Sequence, residues 1–118
     1  MAFWYAPHTT IHVTLSILTP IAGPTVSLLL METYGAILDR AMQYGENALI
    51  PQGTFNWQGT NGVVFRAWNT NVNHEMNWSV LSYGLGAVWR YLTLSGFGTV
   101  RFTIYDGANE VGRGTIGA

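Results

Sequence analysis

The chain has 118 residues, of which only five are Arg and six are Asp or Glu, and it contains no Lys and no Cys. A typical globular chain of this length carries roughly 30 charged side chains, so the composition excludes a basic nucleic-acid-binding protein, a disulfide scaffold and thiol chemistry. A folded chain of this size exposes about 6,300 Å², which so few charges cannot keep hydrated. We therefore expect part of the surface to be covered by a second copy or an apolar partner.

The first 31 residues contain no charged side chain. Pro20 and Pro24 interrupt this stretch, which argues against a membrane-spanning helix, and no basic segment precedes it as in a signal peptide. Residues 1–10 form an aromatic arm that contains Phe3, Trp4 and Tyr5. No helical or strand period buries three consecutive aromatics, so the arm is expected either to fold back on its own sheet or to dock on a neighbouring subunit.

Alternating residues after the arm predict a strand, and an internal repeat follows it. Residues 35–38 (GAIL) match residues 86–89 (GAVW), with Gly45 and Gly96 each ten residues after the first glycine. Residues 57–63 (WQGTNGV) match residues 105–111 (YDGANEV) in the same order. The sequence therefore predicts a duplicated unit of helix, strand, tight turn and strand, covering residues 22–70 and 75–117 of one domain, 1–118. Pro24 suits a first helical turn and Asn77 an N-cap.

The predicted element order is β-α-β-β-α-β-β, which indicates an α+β fold. We expect a ferredoxin-like split βαβ arrangement with an added C-terminal strand and both helices on one face of a mainly antiparallel sheet. The other sheet face would stay open. Its predicted residues are His12, Thr14, Arg66, Trp68, Arg101, Thr103 and Tyr105.

The second helix carries a single charge between residues 78 and 94, which indicates burial on more than one side. Ser82 and Gly86 form a small-residue track that another backbone could approach. Packing on the chain's own sheet and contact with a second chain both remain open for this helix. The predicted interface set is Phe3, Trp4, Tyr5, Trp78, Ser82, Gly86, Trp89 and Tyr91.

The C-terminal third resembles small, uncharacterised, cysteine-free proteins of filamentous fungi. The resemblance rests on residues 78–81 (WSVL), a strand ending in Asp-Gly at 102–107 (FTIYDG), and residues 110–114 (EVGRG). The overall shape is also similar to small secreted fungal toxins and effectors with two helices and an antiparallel sheet. Those proteins usually carry disulfides, which this chain lacks, so the resemblance implies an origin and a fold but no activity.

The sequence offers no catalytic, cofactor-binding or metal-binding set. His8 and His12 have a helical ligand spacing but lie beside Pro7 on a strand pattern, where residues four apart are separated by about 13 Å. His74-Glu75 lacks a second His at the zinc-protease spacing. Glycines 59 and 62 lie between two strands and predict a hairpin turn. The acids at 32, 39 and 46 recur every seven residues, which we interpret as the solvated side of the first helix.

Three functions remain open. The first is a non-catalytic, self-assembling protein that forms a homo-oligomer or filament through its aromatic arm, apolar second helix and sheet edges. The second is a small secreted toxin or effector that acts on membranes, without spanning them, or on a host protein. The third is a module that binds a sugar or another small molecule on the open sheet face. No nucleic-acid partner is expected, and the compartment stays open with an extracellular location favoured.

Overall fold

The computed structural model describes residues 1–117, which form six strands and two helices. The strands are β1 (Ala2–Tyr5), β2 (Ile11–Pro20), β3 (Thr54–Gln58), β4 (Val64–Asn69), β5 (Gly98–Asp106) and β6 (Asn109–Gly117). Helix α1 (Gly23–Tyr44) follows β2, and helix α2 (Trp78–Ser95) lies between β4 and β5. The α+β class and the element order are confirmed, and the arm supplies β1 as a further strand.

The six strands form one sheet in the order β1-β2-β5-β6-β4-β3, and every neighbouring pair is antiparallel. Helix α1 therefore connects two parallel strands, β2 and β3, with three strands between them. Helix α2 connects β4 and β5, which are also parallel and have β6 between them. Both connections are split βαβ units. The added C-terminal strand lies in the interior of the sheet and joins the two halves.

The internal repeat is visible in the backbone. Both helices end at the matched glycines, where Gly45 has φ 97° and Gly96 has φ 107°. The N–H of each glycine donates to a carbonyl oxygen in the last helical turn, at 2.9 Å in both cases. A side chain would be strained at such φ values, so glycine ends both helices for one physical reason. The hairpins β3–β4 and β5–β6 meet through the antiparallel β4–β6 pair.

Both helices pack on one face of the sheet and cover the core. The inward residues of each strand alternate with outward ones, as the sequence predicts, and the helices bury one side each. Fully buried members of the core include Val13, Leu15, Leu30, Ile37, Phe65, Leu81, Leu85, Leu92, Ile104 and Ile116. Pro24 lies in the first turn of α1, and the Asn77 side chain accepts a hydrogen bond from the Val80 N–H at 2.8 Å.

Two glycines of β6 make room for large side chains beneath the helices. The Phe102 ring stacks on Phe65 with centroids 5.7 Å apart and lies over Gly114. A Cβ at Gly114 would overlap that ring and come within 2.5 Å of the Arg66 carbonyl oxygen. A Cβ at Gly112 would lie 2.5 Å from the Met76 sulfur. Gly112 and Gly114 therefore serve packing.

Trp78, one of the predicted interface residues, is buried in the core. The residue is only 2% exposed and makes an edge-to-face contact with Phe55, with ring centroids 5.6 Å apart. It is the first residue of α2, and from there its side chain points down into the sheet-facing core. A partner protein has no access to Trp78 in this fold.

Candidate functional site

The aromatic arm folds back on its own sheet, which is the first of the two predicted alternatives. Strand β1 pairs antiparallel with β2 at the sheet edge. Trp4 points towards the helices and packs edge-to-face on Tyr91 of α2, with ring centroids 5.8 Å apart. Phe3 and Tyr5 point to the open face and are about half exposed. Trp4 and Tyr91 therefore contact each other within the chain, while Phe3 and Tyr5 stay available.

An aromatic cluster occupies the β1 end of the open sheet face. His12 stacks on Tyr105 with centroids 4.9 Å apart and planes nearly parallel at 3°. Phe3 lies 4.7 Å from the His12 ring and Tyr5 lies 5.4 Å from it, both measured between centroids. The register places Tyr5, His12 and Tyr105 in one row across three strands. Four neighbouring rings thus form one cluster, in which the His12 and Tyr105 rings are parallel and the Phe3 and Tyr5 rings are inclined to that of His12.

Arginines occupy the middle of the same face. One cross-strand row runs from Arg101 through Thr115 to Arg66, and the next runs from Thr103 through Arg113 to Trp68. Thr14 of β2 continues the second row beside Thr103. All of the predicted open-face residues therefore lie on this face. Arg113 and Thr115 belong to the same surface, and the register of β6 between β5 and β4 adds them to the predicted set.

Glu110 holds one of these arginines in place. The Arg113 Nε donates to Glu110 Oε2 at 3.1 Å, and Arg113 Nη2 donates to Oε1 at 3.3 Å. A hydrogen bond from Thr70 and those from Arg113 keep the pKa of Glu110 below its ordinary value, although desolvation acts in the opposite direction. Among residues 1–117 this is the one ion pair that the structure contains. Arg66 and Arg101, both exposed, therefore face solvent.

A shallow cavity of about 430 Å³ lies on this face. The half-buried Thr14, Thr103 and Thr115 line it, together with Arg101 and Arg113. Trp68 forms part of the wall. The lining therefore combines hydroxyl groups, guanidinium groups and an aromatic ring.

A second, larger cavity of about 680 Å³ runs along the outer side of α2. Three predicted interface residues line it: Ser82, Gly86 and Trp89. Tyr34 of α1 borders the groove and contacts Trp89 edge-to-face, with ring centroids 6.2 Å apart. The exposed Tyr83 stands at its side. Most of the residues that line this groove are apolar, and Arg90 and Thr93 add polar groups.

A separate apolar stripe lies on the outer side of α1. Leu28, Met31, Leu38 and Met42 are between 37% and 86% exposed. With Gly35 they recur at steps of three and four residues, as in the contact face of paired helices. The sequence prediction does not include this stripe, because the acids at 32 and 39 beside it favour a solvated side. The three- and four-residue spacing of the apolar residues is the signal in the sequence that indicates it. One of those acids, Glu32, is half-buried.

Glycines mark the matched position of the repeat on both helices. Gly35 of α1 and Gly86 of α2 lie in helix interiors, and a Cβ at either would meet nothing within 4 Å. Gly84 is different, since its Cβ would lie 2.8 Å from Ile104 Cδ1 beneath the helix. Glycine costs about 1 kcal/mol relative to Ala in a helix interior. Packing explains Gly84, whereas no contact within the chain explains Gly35 or Gly86.

The remaining candidates for chemistry are dispersed. His8 lies in the exposed turn between β1 and β2 with φ 62°, while His12 belongs to the stacked cluster on the sheet. His74 and Glu75 are both exposed in the connection before α2. Residues 1–117 contain no group of three His, Cys, Asp or Glu side chains that could hold a metal ion. Over the same residues, neither helix is long and apolar enough to cross a membrane.

Comparison of the chain with protein-family models, with curated proteins and with solved structures gave no match.

Proposed function

We propose that this chain is a non-catalytic, self-associating protein, and that two copies meet through the outer side of the helix layer. The supporting observation is a pair of helix glycines whose Cβ position is open, Gly35 and Gly86. Gly35 lies among the exposed Leu and Met side chains of α1. Gly86 lines the groove along α2 beside the half-buried Trp89 and the exposed Tyr83. Small residues on a helix surface allow another helix to approach closely, and flanking Leu and Met side chains then pack around the crossing. No intrachain contact accounts for this combination.

The size of the surface fits a stable contact. At 1.5 Å per residue, α1 is about 33 Å long and α2 about 27 Å, and two adjacent helices are roughly 20 Å wide. Their outer side thus approaches the roughly 800 Å² that each partner buries in a specific interface. The small number of charged residues also supports self-association, because apolar surface that is shared between copies does not have to be kept hydrated by charged side chains.

The occupant that the surface favours is a second copy of the same patch. Self-contact of one patch is isologous and closes as a two-fold dimer. Trp4 and Tyr91 are already engaged with each other, so the proposal assigns the contact to the helix layer rather than to the arm. The exposed edge of β3 is a secondary surface through which dimers could extend.

The test replaces two exposed stripe residues with charged ones. Met31→Glu combined with Leu38→Glu should leave the fold intact, since the two residues are 57% and 40% exposed and lie outside the core. The double variant should convert the assembly to a species of 13.0 kDa. The matched control is Val72→Glu, which places the same charge at a residue 90% exposed in a loop. Light scattering coupled to size-exclusion chromatography measures the mass, and circular dichroism checks the fold.

The unaltered chain should have a mass well above 13.0 kDa at micromolar concentration. A monodisperse 13.0 kDa species under those conditions would refute the proposal. If the assembly survives both glutamates, the helix layer is not the contact. Rings or filaments in negative-stain images, rather than dimers, would mean that the patch meets a different surface.

A further inference from the structure

Three of the five arginines of the chain lie around one threonine on the open sheet face, and the proposed association uses none of them. Arg101 and Arg66 flank Thr115 from the two neighbouring strands, and Arg113 lies two residues from Thr115 along β6. Strands are about 4.8 Å apart and same-face neighbours about 7 Å apart, so the three Cα atoms form a triangle with sides of about 8 to 10 Å. Extended arginine side chains can cover that distance and converge above Thr115.

Two of these three arginines have no carboxylate partner within the described residues. Glu110 pairs with Arg113, but no carboxylate among residues 1–117 lies within ion-pair distance of Arg66 or Arg101. Arg66 and Arg101 lie on β4 and β5, on either side of β6, so their Cα atoms are about 10 Å apart. An anion bound between Arg66 and Arg101 would be attracted by both guanidinium groups.

The surroundings indicate the kind of anion. The cavity of about 430 Å³ beside the arginines lies within the range of small-molecule sites, which is about 300 to 1,000 Å³. Thr14, Thr103 and Thr115 supply hydroxyl donors in its lining, and the half-buried Trp68 supplies a flat apolar wall. The volume suits a single small molecule that has an oxyanion at one end and a flat ring at the other.

We propose that the open sheet face binds a small phosphate or sulfate ester carried on a flat ring. Guanidinium groups bind such oxyanions through paired, charge-assisted hydrogen bonds. Arg101 and Arg113 line the cavity and would contact the ligand directly, Arg113 through the donor groups that its pair with Glu110 leaves free. Arg66 lies outside the lining and adds positive charge from the other side of Thr115. The ring of the ligand stacks on Trp68.

The test is a calorimetric titration of the full chain at low salt with phenyl phosphate, phenyl sulfate and inorganic phosphate. We expect saturable binding of at least one aryl ester that weakens as ionic strength rises. Arg101→Ala should reduce the affinity about tenfold or more, as expected for a charged hydrogen bond. The matched control is Arg40→Ala, which removes the same charge from an exposed residue of α1 and should leave the affinity unchanged. Trp68→Leu should weaken phenyl phosphate but leave inorganic phosphate unaffected.

Four results would overturn the proposal. The first is the absence of saturable binding at millimolar ligand, and the second is an equal loss of affinity in Arg40→Ala. The third is a fall in the melting temperature of Arg101→Ala, which would show a structural role for this residue. The fourth is far tighter binding of oligodeoxythymidine. The last result would identify single-stranded nucleic acid as the ligand. The helix layer lies on the opposite side of the sheet, so a failure here is separable from a failure of self-association.

Discussion

Replacing Gly35 and Gly86 by alanine should stabilise the isolated chain. Ala is favoured over Gly in a helix interior by about 1 kcal/mol, and a methyl group at Gly35 or Gly86 meets nothing within 4 Å that would offset this gain. The two positions lie on different helices, so the effects should add to about 2 kcal/mol in the double variant. At about 4 °C or more per kcal/mol for a domain of this size, the melting temperature should rise by about 8 °C.

The matched comparison is Gly84→Ala on the same helix. It gains the same helix propensity, but its Cβ would lie 2.8 Å from Ile104 Cδ1 and 3.1 Å from Cγ1. Overpacking of a core costs about 1 to 3 kcal/mol, so the free energy of unfolding should fall by up to about 2 kcal/mol. Two substitutions of identical chemistry, two residues apart, should therefore differ in sign.

Chemical denaturation of samples diluted below the association range measures the stability of the single chain. Light scattering at high concentration measures association, which the added methyl groups should weaken because they hold two helices apart. If Gly35→Ala and Gly86→Ala destabilise the diluted chain, the space around these glycines is not open. If both variants stabilise the chain and leave association untouched, the glycines do not lie in the contact.

Further expectations concern the core, the ion pair and the arm. Gly114→Ala should destabilise the fold by about 1 to 3 kcal/mol or more, because its Cβ overlaps a stacked ring, and a lower denaturation midpoint would show this. The pKa of Glu110 is lower in the folded chain than its ordinary value of 4.5. This difference contributes stability at pH values above 4.5, and the contribution is lost as the pH falls through the lower, folded-state pKa. Glu110→Gln should therefore flatten the stability profile in that acidic range, and an unchanged profile would argue against the ion pair. Trp4→Ala should lower the melting temperature by several degrees and Tyr5→Ala by little, because one ring packs on α2 while the other faces solvent; equal losses would contradict this orientation of β1.

Much of the fold could be predicted from local sequence signals. The alternation along β2 and β5, the Asn77 cap and the matched glycines at 45 and 96 each encode their structure within a few residues. The order of the strands could not be predicted in the same way. It depends on which edges β6 joins, and the inward residues of β6 include Gly112 and Gly114, which carry no hydrophobic pattern to identify a partner strand.

The candidate surfaces were predicted unevenly for the same reason. The open sheet face follows from strand alternation alone, so His12, Arg66 and Arg101 were placed correctly, whereas Arg113 needed the register of β6. The outer stripe of α1 was missed because this helix has two apolar sides, and sequence alone does not say which one meets the sheet. Trp78 was misplaced because a large aromatic side chain at the start of a helix satisfies a core and an interface equally well.

The central place of β6 has a consequence for how the chain reaches its native state. This strand is synthesised after all the others, yet β4 and β5 have no hydrogen-bonded contact with each other except through it. Until it emerges from the ribosome, the nascent protein consists of two partial sheets with unsatisfied edges, which are vulnerable to aggregation. Folding should consequently be slow, because it depends on pairing between strands that are distant in the sequence, and it should be cooperative across both halves of the sheet.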